Sequence, residues 1–437
     1  MGEGETVLRY NYRALPNDPQ KAAISRTIGS CRVVFNDYLR ANYDAWAARG
    51  RSPSRNELSK QLITQAKKTP ERAWLAEVSA VALQQALADA HNAFSNFYRS
   101  CGGTRNGRRV GRPKFRSRHD SQQSIRFTAN ARFKVERVGR QRGVLTLPGI
   151  GRVPFVWSRD LPSTPSSVTL TRRSTGEYDI SFVIRLFESP LSPTGANCAI
   201  DLGLSAFATV LSGSSGVGER IERLSAPQYL RRKERALARS QRSLSRKRKG
   251  SANRAKAKIR VAKLRRHVAN ARLDHAHQAA RRIVDAHDVV VVEDLNVSGM
   301  ARGHLAKSVH DAGLGQFRRI LSEKCERGGR TLITVDRFFP STQICSSCQH
   351  STGPKGLAEL SVRIWMCSAC GASHDRDANA ARNLLGEGMR LAAQSDSVAG
   401  GHPETQNACG LDVSHLLADA VRDEAGTDVV LANARAR

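Results

Sequence analysis

Three acidic side chains could act together chemically in this chain of 437 residues: Asp201, Glu293 and Asp377. Three carboxylates gathered at one point would repel one another and raise one another's pKa. Divalent cations remove that penalty, and hard oxygen ligands favour Mg²⁺ or Mn²⁺ over softer metals. Two such ions about 4 Å apart would clamp the attacking water and the leaving oxygen of a phosphodiester. The three acids therefore favour a metal-dependent nuclease; the alternative for any one of them is a helix cap or a salt-bridge partner.

Two CxxC pairs are the second set of residues with chemical potential. Cys345 and Cys348 form the first pair, Cys367 and Cys370 form the second, and 18 residues separate them. This spacing predicts a four-thiolate zinc site.

The acids can meet only if the fold brings together positions that lie 92 and then 84 residues apart. Asp201 ends an apolar strand, and Glu293 ends the four-valine strand Val289–Val292. Asp377 begins a helix just beyond the second cysteine pair. Functional groups gather at the C-terminal edge when such strands are neighbours in one sheet. Asp375 competes with Asp377 for the third place, and spacing alone does not separate the two.

The N-terminal half alternates between strand and helix patterns. Residues 6–15 alternate in polarity and predict a strand, whereas residues 18–100 have the apolar spacing of a small helical bundle. From 124 to 186 the period returns to two, which predicts a small antiparallel barrel that the first strand rejoins. The Gly- and Arg-rich segment 101–120 suits contact with a phosphate backbone.

The charge of the chain indicates a polyanionic partner. Lys and Arg total 70 against 39 Asp and Glu, which gives a formal net charge of +31. Such a surplus self-repels unless a polyanion neutralises it, so nucleic acid is the expected partner. The helical segment 229–282 is basic on both faces and is expected to contact it.

The compartment predicted from the sequence is the cytoplasm. The first five residues are acidic and lack the apolar core of a signal peptide. No apolar run approaches the roughly 18 residues of a membrane helix. The cysteines outside the two pairs are odd in number and dispersed, which argues against a disulfide framework.

Six stretches of the chain occur in an order that a known family shares. They are Cys31–Asn36, Gly111–Ser117, Ala199–Gly203, Val291–Leu295, Phe339–Cys348 and Asp375–Ala381. Through them the chain resembles the TnpB family of transposon-encoded, RNA-guided DNA nucleases, which is related to type V CRISPR effectors. Each motif is weak by itself, but the six in this order leave little room for coincidence.

The resemblance implies a multidomain α+β fold. Its parts would be an RNase H-like (RuvC) nuclease domain, an inserted zinc ribbon, a β-barrel wedge domain and a helical recognition domain. The expected ranges are 1–17 and 101–190 for the wedge domain, 18–100 for the recognition domain, 194–340 and 373–388 for the nuclease domain, and 341–372 for the zinc ribbon. Residues 389–437 are expected to be a disordered tail, since the chain beyond about 385 has no Phe, Trp or Tyr.

The resemblance also implies roles for the acids. By motif match, Asp201, Glu293 and Asp377 would be the catalytic acids and the Mg²⁺ ligands. Asp377 is preferred over Asp375 because the family's acid stands two residues before the Asn that precedes Ala-Ala. A separate zinc site would hold the shape of the cysteine-rich segment.

One feature of the cysteine-rich segment departs from the family. Gln349 and His350 follow the first cysteine pair, where the family commonly has glycine. His350 or His374 could in principle bind zinc, although four cysteines already complete a tetrahedral site.

The expected function is RNA-guided, divalent-metal-dependent cleavage of double-stranded DNA. In such proteins a transposon-derived guide RNA pairs with one strand of the target DNA, and the protein reads backbone shape and a short adjacent motif. The alternatives are a compact CRISPR-associated type V effector with the same mechanism, a binding-only relative that should have lost catalytic acids, and a guide-free transposase or resolvase of the same fold.

Overall fold

The computed structural model describes residues 5–187, 189–214, 217–355, 359 and 361–398. Within these ranges the chain forms three β-sheets, of seven, five and two strands, together with α-helices. The larger compact unit comprises the described residues up to His91 and from Lys114 to Ser395. Asn92–Pro113 belong to a separate unit.

The first sheet contains seven antiparallel strands: β1 (Glu5–Ala14), β2 (Gln122–Thr128), β3 (Lys134–Gly139), β4 (Arg142–Leu147), β5 (Gly151–Val156), β6 (Ser167–Arg173) and β7 (Tyr178–Phe187). Their order is β2–β6–β7–β1–β5–β4–β3. β1 pairs with β7 along its whole length and with β5 at one end, so the predicted return of the first strand is confirmed. β2 and β3 lie at the two ends of this order and do not pair with each other in the described residues, which differs from the small barrel that the sequence predicts. β3 is largely exposed and charged, as is usual for an edge strand that must not pair further.

Three helices separate β1 from β2: α1 (Asp18–Ala47), α2 (Arg55–Ser59) and α3 (Ala80–Cys101). α1 begins with a capping box in which Asn17 and Gln20 exchange side-chain and backbone hydrogen bonds. α2 begins with the same device, made by Ser54 and Glu57. The polar residues before each helix therefore fix where it starts.

The second sheet contains five strands: β8 (Asn197–Leu202), β9 (Ala206–Ser214), β10 (Val217–Ser225), β11 (Val289–Glu293) and β12 (Thr331–Val335). Their order is β10–β9–β8–β11–β12. β11 runs parallel to both of its neighbours, β8 and β12. It is covered on both faces, which explains the run of consecutive valines that forms it.

Helices cover both faces of this sheet. They are α4 (Tyr229–Ser245), α5 (Ala252–Ala286), α6 (Val297–Met300), α7 (Ala306–Ala312), α8 (Leu314–Gly328) and α9 (Arg376–Val398). Ile200 and Val292 pack with α5 and α8 on one face. Ala199 and Val291 pack with α9 on the other face. The sheet is thus the middle layer of three.

α9 approaches the sheet closely because it carries Gly388. A Cβ atom at this position would lie 2.4 Å from a methyl group of Val291, so only glycine fits without a shift of the helix. Beyond it, Met389 and Leu391 pack against the same core cluster. These contacts sustain the helix to Val398, so the prediction of disorder is wrong for residues 389–398. The rest of the predicted tail lies outside the described residues.

A half-buried ion-pair cluster joins the two large sheets. Arg266 in α5 lies 2.8 Å from Asp179, near the start of β7, and 3.0 Å from Glu177, in the turn before that strand. Arg173 pairs with the same Asp179 at 2.6 Å.

In the described ranges, every helix is too short or too polar to cross a lipid bilayer.

Candidate active site and metal centre

Neighbouring parallel strands bring Asp201 and Glu293 to one edge of the five-stranded sheet. Ile200 in β8 pairs with Val292 in β11, and the two acids are the next residues along these strands. Ile200 and Val292 both face α5 and α8. Because side chains alternate along a strand, both acids face the opposite side, where α9 lies.

The first turn of α9 adds the third acid, Asp377, whose side chain is 26% exposed. Asp375 has different contacts, since its carboxylate accepts the N–H of Ala378 at 2.9 Å and pairs with Arg223 at 2.7 Å. Asp375 therefore caps the helix, whereas Asp377 interacts with Asp201.

The three carboxylates are coupled electrostatically. Burial raises the pKa of Asp201, and the charges of Asp377 and Glu293 raise it further, to about 7, against the opposing effect of Arg376 and Arg363. Burial also raises the pKa of Glu293. Carboxylates in this situation bind either a proton or a cation.

The sequence analysis did not identify Arg363 as part of this site. Its guanidinium lies 3.4 Å from Asp377 and donates to the hydroxyl of Ser205 at 2.7 Å. Arg363 precedes β13 (Ile364–Met366), which pairs with β14 (Ser373–Asp375). The cysteine-rich segment therefore delivers a cation to the acidic edge, and only the pairing of these two short strands reveals it.

Asp294, the residue after Glu293, holds two further arginines. Arg318 in α8 lies 3.2 Å from it, and Arg337, just beyond β12, also pairs with it. The hydrogen bond from Arg337 is the largest cause of the lowered pKa of Asp294. Arg318 also opposes the rise that burial causes in the pKa of Glu293. Asp294 is thus an anchor for positive charge beside the acids.

The four cysteines of the CxxC pairs converge, with all their sulfur atoms within 4.8 Å of one another. Cys345 Sγ lies 3.7 Å from Cys370 Sγ, and Cys348 Sγ lies 3.6 Å from Cys367 Sγ. A tetrahedral zinc ion with Zn–S distances of about 2.3 Å needs sulfurs ~3.8 Å apart, so the cluster has the right size. Among the described residues, these cysteines are the one group of three or more Cys, His, Asp or Glu side chains placed to hold a metal ion.

The two cysteine knuckles share one backbone conformation. In each, the residue after the second cysteine donates its N–H to the carbonyl of the first cysteine at 2.9 Å. That residue is Gly371 in the second knuckle, with φ 75°, and Gln349 in the first, with φ 64°. Gln349 therefore adopts the left-handed conformation that favours glycine.

Both histidines lie beside the sulfur cluster without joining it. The Nε2 atom of His374 is 3.0 Å from Cys345 Sγ, and the ring packs against Trp365 with centroids 4.8 Å apart. His350 donates from Nδ1 to the carbonyl of Cys348 at 3.1 Å. His374 therefore supports Cys345 from outside the cluster.

Two buried asparagines, which the sequence analysis also missed, join α9 to the first knuckle. Asn379 accepts the N–H of Ser346 at 2.9 Å and donates to the carbonyl of Ile344 at 2.7 Å. Asn383, one turn later, donates to the carbonyls of Ser341 and Ile344, each at 2.7 Å. The sequence pattern that could have revealed these residues is a pair of amide side chains four residues apart on an otherwise apolar helix face. The knuckle and the helix of the third acid are thereby one rigid assembly.

Comparison with family models matches three segments of the chain. Residues 177–303 match a family described as a probable transposase, residues 315–384 match a Cas12f1-like TNB domain, and residues 6–51 match a helix-turn-helix domain. In the last segment, the described residues form β1 and the single long helix α1 rather than two helices.

Similar proteins cover most of the chain. A protein of Streptomyces pristinaespiralis is 37% identical over 393 residues, which are 89% of this chain and 91% of that protein. One of Mycobacterium tuberculosis (strain H37Rv) is 30% identical over 410 residues, or 87% and 86% of the two chains. The names of both begin "Putative RNA-guided DNA endonuclease".

Among solved structures, a cryo-EM complex of Cas12f1 with sgRNA and target DNA aligns with a TM-score of 0.51 at 12% identity, covering 88% of this chain and 99% of that one. The fold therefore defines a Cas12-like multidomain protein of mixed α and β structure. With the relatives described above, the chain belongs to the TnpB family.

Proposed function

We propose that this protein is an RNA-guided DNA endonuclease of a transposable element and that its acidic sheet edge hydrolyses the phosphodiester. The observation that carries the proposal is the electrostatic coupling of Asp201 with Glu293 and Asp377. Two neighbouring strands and α9 bring these acids together from distant parts of the sequence. The names of the relatives refer to the same activity.

Asp201, Glu293 and Asp377 would hold Mg²⁺, with Mn²⁺ as the alternative hard cation. Bound cations would activate a water molecule and stabilise the leaving oxygen. The donor set fits, because it consists of carboxylates and because the pKa of Asp201, at about 7, lets a cation displace a proton near neutral pH. Arg363 contacts one of the acids, where its charge would help to attract the phosphate.

The four-cysteine cluster would hold a structural Zn²⁺ ion. The sulfur spacing supports this, and the chemistry of four thiolates favours zinc over the harder cations. Zinc would hold the first knuckle in one conformation, and the hydrogen bonds of Asn379 and Asn383 would fix the position of α9 relative to it. The metal would thus act on catalysis only by positioning the third acid.

The proposed function implies an assignment of the chain to domains. We assign residues 194–340 and 373–388 to a RuvC-like nuclease domain, 341–372 to a zinc ribbon, 1–17 and 101–190 to the wedge domain, and 18–100 to the recognition domain. Guide RNA and target DNA are the partners, and the net charge of +31 supports a polyanionic ligand of this size. The cytoplasm is the compartment in which we propose that it works.

The central test is Asp201→Ala in the protein purified with its RNA. This variant should lose cleavage while the complex still binds target DNA. Asp375→Asn is the matched control, since it neutralises an acid of the same motif but keeps the side-chain oxygen that caps α9. Plasmid cleavage and a gel-shift assay on the same DNA give the two readouts. Cutting by Asp201→Ala would refute the site.

The zinc assignment is tested by replacing Cys345 and Cys367 with serine. The doubly substituted protein should lose bound zinc, measured by elemental analysis, and melt at a lower temperature. Cys101→Ser is the control, because Cys101 is exposed and outside the cluster. An unchanged zinc content in the double variant would exclude the four-thiolate site.

The guide is tested by sequencing the RNA that copurifies with the protein from its host. One discrete transposon-end RNA is expected. An active nuclease that carries no nucleic acid would support a guide-free enzyme of the same fold instead.

A further inference from the structure

Arg376 lies between the acid that caps α9 and the acid that joins the proposed site, and the mechanism described above gives it no role. It is the first residue of α9, and only 8% of its surface is exposed. A buried guanidinium loses its hydration, and the fold keeps it only where acceptors and negative charges compensate that loss. The partners of Arg376 therefore indicate what it does.

Arg376 binds the cysteine-rich segment at two points. Its backbone N–H donates to the carbonyl of Arg363 at 2.8 Å, which extends the pairing of β13 with β14 by one hydrogen bond. Its Nη1 atom donates to the carbonyl of Glu359, also at 2.8 Å. The same carbonyl accepts the N–H of Val362 at 3.1 Å. Arg376 thus fixes the backbone just before β13, from which the Arg363 side chain projects.

The position of the Arg363 side chain depends on that backbone. The side chain is 51% exposed, so burial does not hold it. It contacts Asp377 at 3.4 Å and the hydroxyl of Ser205 at 2.7 Å. Ser205 lies in the turn between β8 and β9, directly after the strand that carries Asp201. Arg363 therefore bridges the strand of the first acid and the helix of the third.

Arg376 also acts on the acids through its charge. Its effect in lowering the pKa of Asp201 is larger than that of Arg363. The two cations differ in freedom, because Arg376 is buried and bound to a backbone carbonyl whereas Arg363 is largely exposed. A fixed positive charge at this point offsets part of the mutual repulsion of the three acids, and it also repels a cation that binds them.

We propose that Arg376 is a positioning residue of the nuclease site, which holds Arg363 beside Asp377 and serves as the fixed counter-charge of the three acids. This inference rests on the proposed function and adds to it a residue that acts through others. The two roles have opposite effects on the metal and on the reaction. The charge of Arg376 weakens metal binding, whereas its hydrogen bonds keep Arg363 in place for cleavage.

The charge is tested by Mn²⁺ binding to the zinc-loaded protein–RNA complex at pH 8.5, measured from the electron paramagnetic resonance signal of free Mn²⁺. Arg376→Gln should bind Mn²⁺ at least about 3-fold more tightly, because a positive charge near the cation is lost. Arg382→Gln is the matched control, since Arg382 lies on the same helix but pairs with Glu219 in β10. The Asp201→Ala complex gives the background of Mn²⁺ bound by the RNA.

The positioning role is tested by plasmid cleavage at saturating Mg²⁺. Arg376→Gln should cut about 10-fold more slowly despite its tighter metal binding, since the backbone of Arg363 is no longer fixed. Combined with Arg363→Gln, it should cut no more slowly than Arg363→Gln alone, because both changes affect the same contact. Arg376→Lys should bind Mn²⁺ like the parent but still cut more slowly, because an ammonium group lacks the planar donor array of a guanidinium.

Three results would overturn the role of Arg376: an Mn²⁺ affinity of Arg376→Gln equal to that of Arg382→Gln, weaker Mn²⁺ binding together with slower cleavage, or an unchanged cleavage rate. In each case, Mn²⁺ binding by the parent above the Asp201→Ala background would leave the nuclease site standing. Equal Mn²⁺ binding by the parent and Asp201→Ala would instead refute the site itself, and the role of Arg376 with it.

Discussion

Asp201 is the residue whose chemistry depends most on what surrounds it. Its pKa rises from 3.8 to about 7 through burial and the two neighbouring acids. Between these values the unfolded chain has lost the proton while the folded chain keeps it, so folding stability falls as the pH rises from about 4 to 7. Above pH 7 the loss is complete.

We predict that Asp201→Asn stabilises the protein, and does so more at pH 8 than at pH 5.5. The difference should approach 2 kcal/mol, because the pKa of about 7 lies 1.5 units above the lower pH. Urea unfolding with zinc bound and no added magnesium measures it. Asp375→Asn keeps a side-chain oxygen for the helix cap and loses only an exposed ion pair with Arg223, so it should change the stability little at either pH. An equal gain from Asp201→Asn at both pH values would contradict the raised pKa of Asp201.

The backbone conformation of Gln349 supports a second prediction at the residue scale. Its φ of 64° is one that side chains other than glycine adopt at a cost, so Gln349→Gly should stabilise the first knuckle by roughly 0.5–1 kcal/mol. Gly371→Gln is the reverse control and should destabilise the second knuckle. Resistance of bound zinc to a chelator measures both, and a faster zinc loss from Gln349→Gly would exclude the strain.

At the residue scale the sequence predicted which side chains could act but not their states. Asp201 and Glu293 are recognisable because each ends an apolar strand. Spacing alone did not separate Asp375 from Asp377, and the family resemblance favoured Asp377. In the structure Asp375 caps a helix, whereas Asp377 interacts with Asp201. Arg363 was not predictable, since its position depends on a three-residue strand pair.

At the scale of elements, α9 and the first knuckle are joined by two side chains. Asn379 is fully buried and uses both ends of its amide. We predict that Asn379→Asp, which loses the donor, lowers the cleavage rate by about 10- to 100-fold by displacing the third acid, as a shift of 1 Å can do.

The readouts that separate positioning from general damage are zinc content and magnesium dependence. Zinc should stay bound, and the magnesium concentration for half-maximal cleavage should rise. Asn17→Asp is a suitable control, because Asn17 is an exposed asparagine that caps α1, in the N-terminal part of the chain. Loss of zinc together with activity would mean that Asn379 serves only to hold the ribbon.

Most element boundaries could be predicted, because caps, periodicity and glycines mark them. The capping boxes at Ser54 and Asn17 and the glycines after α8 show this. The end of α9 could not be predicted, because Met389 and Leu391 are apolar residues whose contacts form only when the helix docks on the sheet. The two open edges of the first sheet, β2 and β3, were likewise beyond local patterns, which do not show where a sheet ends.

At the scale of the whole molecule, Arg266 couples the two large sheets. We predict that Arg266→Met destabilises the chain by about 1–3 kcal/mol, since it leaves Asp179 and Glu177 with less charge compensation. Thermal unfolding should broaden or divide into two steps as the sheets become less coupled. Arg281→Met, at an exposed i,i+4 pair of the same helix, should change little, and a single unshifted transition for Arg266→Met would contradict the coupling.

The charge of the molecule predicted its class of partner, because an excess of 31 positive charges needs polyanions. It did not predict how the two sheets meet. That arrangement depends on contacts between residues 87 and 89 positions apart, such as those of Arg266 with Asp179 and Glu177, which no sequence window contains.

The separation of the acids along the chain also determines the order in which the parts of the site are synthesised. β8 is made long before α9 can dock, with 188 residues (389 − 201) from Asp201 to Met389. At ~5–20 residues per second, translation of that span takes ~10–40 s. During this interval the nascent chain already has its first sheet and, from residue 229 onward, its basic helices. The basic helices are therefore available to RNA before the proposed catalytic centre is complete.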